Sequence, residues 1–246
     1  MIDYRRYSMN IKEIIFCIFG SFLFSGVISY LFYRSVFSMV CVIIVFPIVW
    51  NKRKIYLKER QKENLQFQFR DCIQMAATAL NAGYSLENAF VEARKDLVPL
   101  YGDGASMSKE LQYMNGQVQL NIPLEKLIQD LAERSGVEDI QSFSQVFGFA
   151  KRGGGDFIKI FMDTVQKISE RMEVMREIKT VMAAKKLEQN IMNIVPIGIL
   201  FYIDLSSPGF LSIMYGNYVG ILVMTICLLI YLGAYVLSEK IIDIKV

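Results

Sequence analysis

Histidine is absent from the 246 residues of this chain. That absence removes the Ser-His-Asp triad, the Cys-His pair, His-ligated zinc and the imidazole general base from the mechanisms open to it. Cysteine is sparse. Cys17, Cys41 and Cys227 fall inside apolar runs and Cys72 stands alone, so the spacing of a metal site or disulfide framework is missing and all four read as small apolar residues. A phosphate loop is lacking too. Lys151-Arg152-Gly153-Gly154-Gly155 precedes a helix, but no strand leads into it and no Gly-Lys-Ser/Thr or G-x-G-x-x-G follows, so it reads as a tight turn before a helix capped by Asp156. Carboxylates suited to acid/base work are also missing: Glu138 and Asp139 are helix neighbours that point apart, and Asp130 with Glu133 opens no recognisable site. A net charge of +3 is too small to point to nucleic acid. The residues therefore predict no enzyme, no cofactor and no metal.

What the chain does contain is apolar length and charge, kept apart. By the broad count 53% of residues are hydrophobic while 21% are charged, and the mean hydropathy is +0.33. Such segregation suits a membrane protein carrying a soluble domain. Residues 14–33 run for 20 positions without a charge, matching the ~20 that a helix needs to cross a ~30 Å hydrocarbon core. After Arg34, residues 35–50 form a second uncharged run that ends in Trp50 and a basic cluster. Asn190 to Ile203 is uncharged, Asp204 interrupts, and residues 205–238 are uncharged again, too many for one crossing. Ser206-Ser207-Pro208-Gly209 then reads as a hairpin turn with Asp204 at its wet tip, which sets the last two spans at about 190–205 and 218–238.

Between Asn51 and Asn190 lie 21 of the 27 Lys+Arg, including Lys52, Arg53, Lys54, Lys58, Arg60 and Lys62 beside the second span. Basic flanks stay cytoplasmic, which predicts both termini and the central domain inside. The expected fold is an all-α membrane protein in which two transmembrane helical hairpins, residues 1–50 and 191–246, flank a cytoplasmic six-helix bundle over 51–190. Arg5, Arg6, Ser8-Met9 and Glu13 resemble a prepilin cleavage signal. A pilin, however, has one apolar helix and an exported polar body, whereas this chain has three further apolar segments and a basic body.

Within 51–190 apolar residues recur at three and four, and strand-like alternation is missing. Leu65, Phe69, Cys72, Ile73, Ala76 and Leu80 share one helix face. Gly83 ends that helix, Ser85 caps the next, and Leu86, Ala89, Phe90, Ala93 and Leu97 form its inner face until Pro99 and Gly102-Asp103-Gly104 stop it. A weaker pattern covers Ser106 to Asn115. Pro123 suits the first turn of a fourth helix with Leu124, Leu127, Ile128 and Leu131 inward and Gly136 as terminator. A fifth runs from about Val137 to Arg152 with Ile140, Phe143, Phe147 and Ala150 inward. The sixth carries Phe157, Ile160, Phe161, Thr164, Val165, Ile168, Met172, Met175, Ile178 and Met182 on one stripe, opposite a charged face that includes Lys167, Arg171 and Arg176.

The break Leu80-Asn81-Ala82-Gly83-Tyr84-Ser85-Leu86, the stretch Ile122-Pro123-Leu124-Glu125-Lys126-Leu127 leading to Leu131-Ala132-Glu133-Arg134, Gly153-Gly154-Gly155-Asp156-Phe157 opening a long helix, the run Ile168 to Ile178, and Pro196 in the following span together resemble the type II secretion system F domain family. These residues cover about 65 to 200. The flanking hairpins look like those of the TadB- and TadC-like platform proteins of the Tad (tight adherence, Flp-type) pilus. General secretion relatives carry two such domains in tandem and this chain carries one, so the resemblance implies a second, homologous or identical F-domain chain as partner.

The resemblance further implies a non-catalytic platform in the cytoplasmic (inner) membrane. It would receive a hexameric secretion ATPase and couple its motion to insertion of pilin subunits. On that expectation the sixth helix transmits the motion, and Lys151, Arg152, Arg171 and Arg176 meet the ATPase, while Gly83, Gly136, Gly153, Gly154, Gly155 and Pro196 are structural breaks. A small transporter or channel subunit is the competing class, disfavoured by spans that hold no ionisable residue except the marginal Asp204. A membrane-anchored enzyme is a third, disfavoured by the missing His and phosphate loop.

Overall fold

The computed structural model describes Tyr4 and residues 11–33, 42–152, 156–207, 209–210, 214–215 and 217–242. Their secondary structure is helical, with no strand among the described residues. In chain order come α1 Ile11–Ile28, which passes into a π-helical turn Ser29–Tyr33, then α2 Val42–Asn81, α3 Leu86–Tyr101, α4 Ser106–Gln119, α5 Leu124–Ser135, α6 Glu138–Arg152, α7 Phe157–Ser206 and α8 Tyr218–Ile242. The chain divides into two compact units, one of Met1–Ser8 with Lys54–Glu173 and one of Met9–Arg53 with Val174–Val246. The basic cleavage-like motif at residues 5–10, residues 34–41 of the expected second span and Gly153-Gly154-Gly155 lie outside the described residues.

The first unit is a bundle built from the apolar faces the periodicity marks. Leu65, Phe69, Cys72, Ile73, Ala76 and Leu80 of α2 are buried with Ala89, Phe90, Ala93 and Leu97 of α3 and with Leu124, Leu127, Ile128 and Leu131 of α5. Rings tie three helices together: Phe69 of α2 meets Phe143 of α6 edge-on at 5.3 Å, and Phe143 meets Phe161 of α7 edge-on at 5.4 Å. Such pairs add ~0.5–1.5 kcal/mol each beyond the area they bury. On α7 the buried face is Phe161, Val165, Ile168 and Met172. Ile160, expected on that face, is instead exposed, since the buried face narrows to the i, i+4 and i+7 line of Phe161, Val165 and Ile168.

Three helix ends show how local chemistry sets the bundle's breaks. At Gly83, φ +90, the Tyr84 N–H donates to Ala79 O and the Gly83 N–H to Leu80 O, the paired bonds of a Schellman cap. Asn121, φ 63, closes α4 in the same way, with Ile122 N–H to Gln117 O and Asn121 N–H to Val118 O. This extends the weak third helix to Gln119, past the expected Asn115. Gly136, φ 58 and ψ 31, ends α5 with a single bond to Ala132 O. Two prolines sit one step from expectation. Pro99 lies inside the last turn of α3, which continues to Tyr101 before Gly102 stops it, and Pro123 is the N-cap residue of α5, just outside its first turn.

Among the described residues of the second unit two helices are long and apolar enough to cross a membrane, Glu13–Phe32 and Tyr218–Ile241. They match the first and last expected spans. The expected span at 190–205 is helical as the end of α7, but its uncharged stretch is short and broken by Asn190, Asn193 and Pro196. Pro196 is therefore not a turn. It stands inside α7, where it removes an N–H, and the Tyr231 hydroxyl of α8 donates to the nearby Asn193 carbonyl at 2.8 Å. A small apolar cluster of Ile28, Leu31, Phe32 and Met224, with Ile197 and Leu200 against it, joins α1, α7 and α8. After α7 the Phe210 N–H bonds Ser207 O and Gly209 has φ 107, while Pro208 of the expected hairpin turn lies outside the described residues.

Candidate docking site

The outer faces of α5 and α6 enclose an open groove of about 660 Å³, lined among others by Lys126, Gln129, Glu133, Gln145, Phe149 and Arg152. Phe149 decides its character. It sits one position off the buried stripe of α6 and is 70% exposed, a large apolar side chain left in solvent. Arg152, one turn's reach away, lays its guanidinium 5.5 Å from the Phe149 ring centroid and donates from Nε to Gly148 O at 2.9 Å, so the cation is held in place beside the ring. Lys151 pairs with Glu125 across the two helices at 3.1 Å. Aromatic residues and arginine are both enriched at protein interfaces.

Of the four cations singled out in the sequence, the structure brings Arg152 to this groove, ties Lys151 to the groove residue Glu125, and places the other two elsewhere. Arg171 is engaged within the bundle. Its Nη1 donates to Asp139 Oδ1 and its Nη2 to Glu138 Oε2, each at 3.0 Å, joining α7 to α6. Hydrogen bonding to Glu138, then the Asp139 charge, raises its pKa above the ordinary arginine value. Glu138 and Asp139, neighbours on α6, thus converge on one guanidinium, and Gln66 of α2 donates to the second oxygen of the buried Asp139. Arg176 is exposed and belongs to the second unit.

A second ionic group escaped the sequence reading. Glu110 of α4 is buried, and Arg134 of α5 grips both its oxygens, Nη1 to Oε1 at 3.0 Å and Nη2 to Oε2 at 2.8 Å, while its Nε reaches Asp130 at 2.8 Å. The hydrogen bonds to Glu110 come first among the causes that raise the Arg134 pKa further above its already high value. The signal was present: Glu110 falls on the same face as Met107, Leu111 and Met114, all buried, where a carboxylate requires a partner. The partner's position 24 residues away could not be read. Tyr101 donates to Asp71. Burial first, then this bond, pushes the Tyr101 phenol up to about 12. Burial also pushes the Cys72 thiol well up, which makes it a packing residue. In the second unit the Tyr30 hydroxyl donates to Asp204 at 3.1 Å.

Family models, curated proteins and solved structures were each compared with the chain, and none matches it.

Proposed function

We propose that this chain is a non-catalytic platform of a type IV filament machine, held in the cytoplasmic membrane with both termini and the helical bundle on the cytoplasmic side. It couples a hexameric secretion ATPase to pilin insertion and works beside a second F-domain chain. The observation that carries the reading is α7, a single helix from Phe157 to Ser206 that contributes Phe161, Val165, Ile168 and Met172 to the bundle and Ile197 and Leu200 to the apolar unit. A continuous helix resists bending at every hydrogen-bonded turn, so it suits transmission of force better than a linker does. Two apolar helices, and the exposed apolar residues of α1, α7 and α8, support placement in lipid, where their exposure is an asset. The helix ends at Gly83 and Gly136 and the Asp156 N-cap support the reading.

The ATPase docks on the α5–α6 groove through Phe149 and Arg152. The test is co-purification of the full chain with its secretion ATPase from membranes, comparing wild type with a Phe149→Ala, Arg152→Glu variant. The variant is expected to insert and melt like wild type and to lose the ATPase. Retention of the ATPase by the variant removes the groove from the interface, and failure of the wild type to retain it removes the platform reading. A channel or transporter subunit is the second reading, favoured by the Tyr30–Asp204 bond and by the buried Ser21 and Ser25 of α1 and Ser29 of the π-helical turn. Solute flux in vesicles that is abolished by Asp204→Asn would establish it.

A further inference from the structure

Where α2 leaves its apolar run at Trp50 it enters a dense run of charge. Residues 52–63 hold six cations, Lys52, Arg53, Lys54, Lys58, Arg60 and Lys62, against two carboxylates, Glu59 and Glu63. Three of the six are held by the protein. Lys52 pairs with Glu239 of α8 and lies 5.5 Å from the Tyr235 ring centroid, Arg53 lies 5.3 Å from that of Phe16 in α1, and Lys62 donates to Gly136 O at 3.2 Å. Lys54, Lys58 and Arg60 make no hydrogen bond, ion pair or ring contact with the described residues. Lys54 and Arg60 are exposed and Lys58 is half-buried.

Two large side chains stand in the open among these cations. Ile55 and Tyr56 are both at least half exposed. An isoleucine and a tyrosine so placed fit bulk water poorly and fit the boundary between headgroups and acyl chains well. The direction of the helix adds a second reason. In an α-helix the Cα–Cβ bonds lean toward the N-terminus, which for this part of α2 is the side of Trp50 and the apolar run. The Lys54 and Lys58 stems, starting ~6 and ~12 Å beyond Trp50 along the axis, therefore lean back toward the headgroup layer, and the Arg60 side chain stays within roughly a Debye length of it.

We propose that Lys54, Lys58 and Arg60, with Ile55 and Tyr56 between them, bind the headgroups of anionic phospholipid and gather that lipid around α2. The charge is complementary, since the cytoplasmic leaflet is the negative one. The inference rests on the membrane placement proposed above and goes beyond it: placement needs only apolar runs, whereas these three cations select the charge of the lipid.

Trp50 is the single tryptophan of the chain and stands one turn before Lys54, so its fluorescence reports on the lipid beside the site. The full chain is reconstituted in bilayers of phosphatidylcholine and phosphatidylglycerol, with bromine on the acyl chains of one or the other, and quenching of Trp50 gives their relative affinity. Wild type is expected to prefer phosphatidylglycerol about tenfold at low salt, falling to within about twofold in about 1 M salt, where the Debye length is ~3 Å. A triple variant, Lys54→Gln, Lys58→Gln and Arg60→Gln, should lose the preference at low salt with the bundle's unfolding transition unchanged. Inorganic phosphate should weaken the preference no more than chloride at equal ionic strength. Should the variant fail to insert, the salt titration of wild type decides. Equal quenching by the two lipids in wild type, a preference that the variant or high salt leaves intact, or one that phosphate removes where chloride does not overturns the inference while leaving the membrane placement standing. Quenching by neither lipid overturns the placement itself, and this inference with it.

Discussion

Arg134 and Arg171 each bind two carboxylates, yet water decides how much each contributes. Glu110 is 3% exposed and Arg134 18%, so Arg134→Ala leaves a carboxylate buried without a counter-charge. The expected loss is ~3–5 kcal/mol in denaturant unfolding, whereas the double change of Glu110 and Arg134 to Met should cost far less. Arg171 and Glu138 are largely in solvent, but Asp139 is 4% exposed and would keep only its bond from the neutral Gln66 amide, so Arg171→Ala should cost ~1–3 kcal/mol by the same assay. This contrast is why Arg171 reversal would report on packing as well as on any partner. Tyr101 sets a pH limit. Its phenol titrates near 10 when unfolded and at about 12 when folded, so the unfolded chain releases the proton first. Stability from this group is complete below pH ~10 and is lost as pH rises through about 12. Alkaline unfolding of Tyr101→Phe should show a shallower decline across that window.

At the scale of the element, the helix ends separate chain geometry from packing. Gly136 has φ 58, and a Cβ there would also approach Lys62 Nζ at 3.4 Å. Gly136→Ala should destabilise the bundle by ~1 kcal/mol or more, while Asn121→Gly at φ 63 should be neutral or slightly stabilising, both read from thermal unfolding. Phe143 touches Phe69, Phe147 and Phe161, so Phe143→Ala should cost ~3–5 kcal/mol in the same assay. The glycine ends were legible because Gly before Ser85 and Gly before Val137 each follow an apolar stripe. Asn121 was not, since Asn adopts a left-handed conformation only when the surrounding cap supplies the bonds. Ile160 was misplaced for a related reason: a stripe marks the side that faces something, and the neighbour's width decides how much of it is covered.

For the whole molecule, the proposal that α7 transmits motion is tested by softening it. Two glycines inserted after Lys179 should leave the bundle's unfolding transition within ~0.5 kcal/mol of wild type, because the insertion lies beyond Met172, and should abolish filaments on cells. Normal piliation would show that the continuity of α7 is not used. What the amino-acid sequence by itself determined is the helical class, the inward faces of α2, α3, α5 and α6, and the long apolar runs at about 14–33 and 218–238 that overlap α1 and α8. All of these follow from local periodicity and from runs without charge, which any segment carries regardless of its neighbours. Only the tertiary structure decided that Glu110 meets Arg134, that Arg171 clasps Glu138 and Asp139, that Phe149 stays open beside Arg152, and that Tyr4 fills the core. Except for Phe149 and Arg152, which neighbour each other on α6, those pairings join residues tens of positions apart, and it is the packing of helix on helix that brings them within bonding distance.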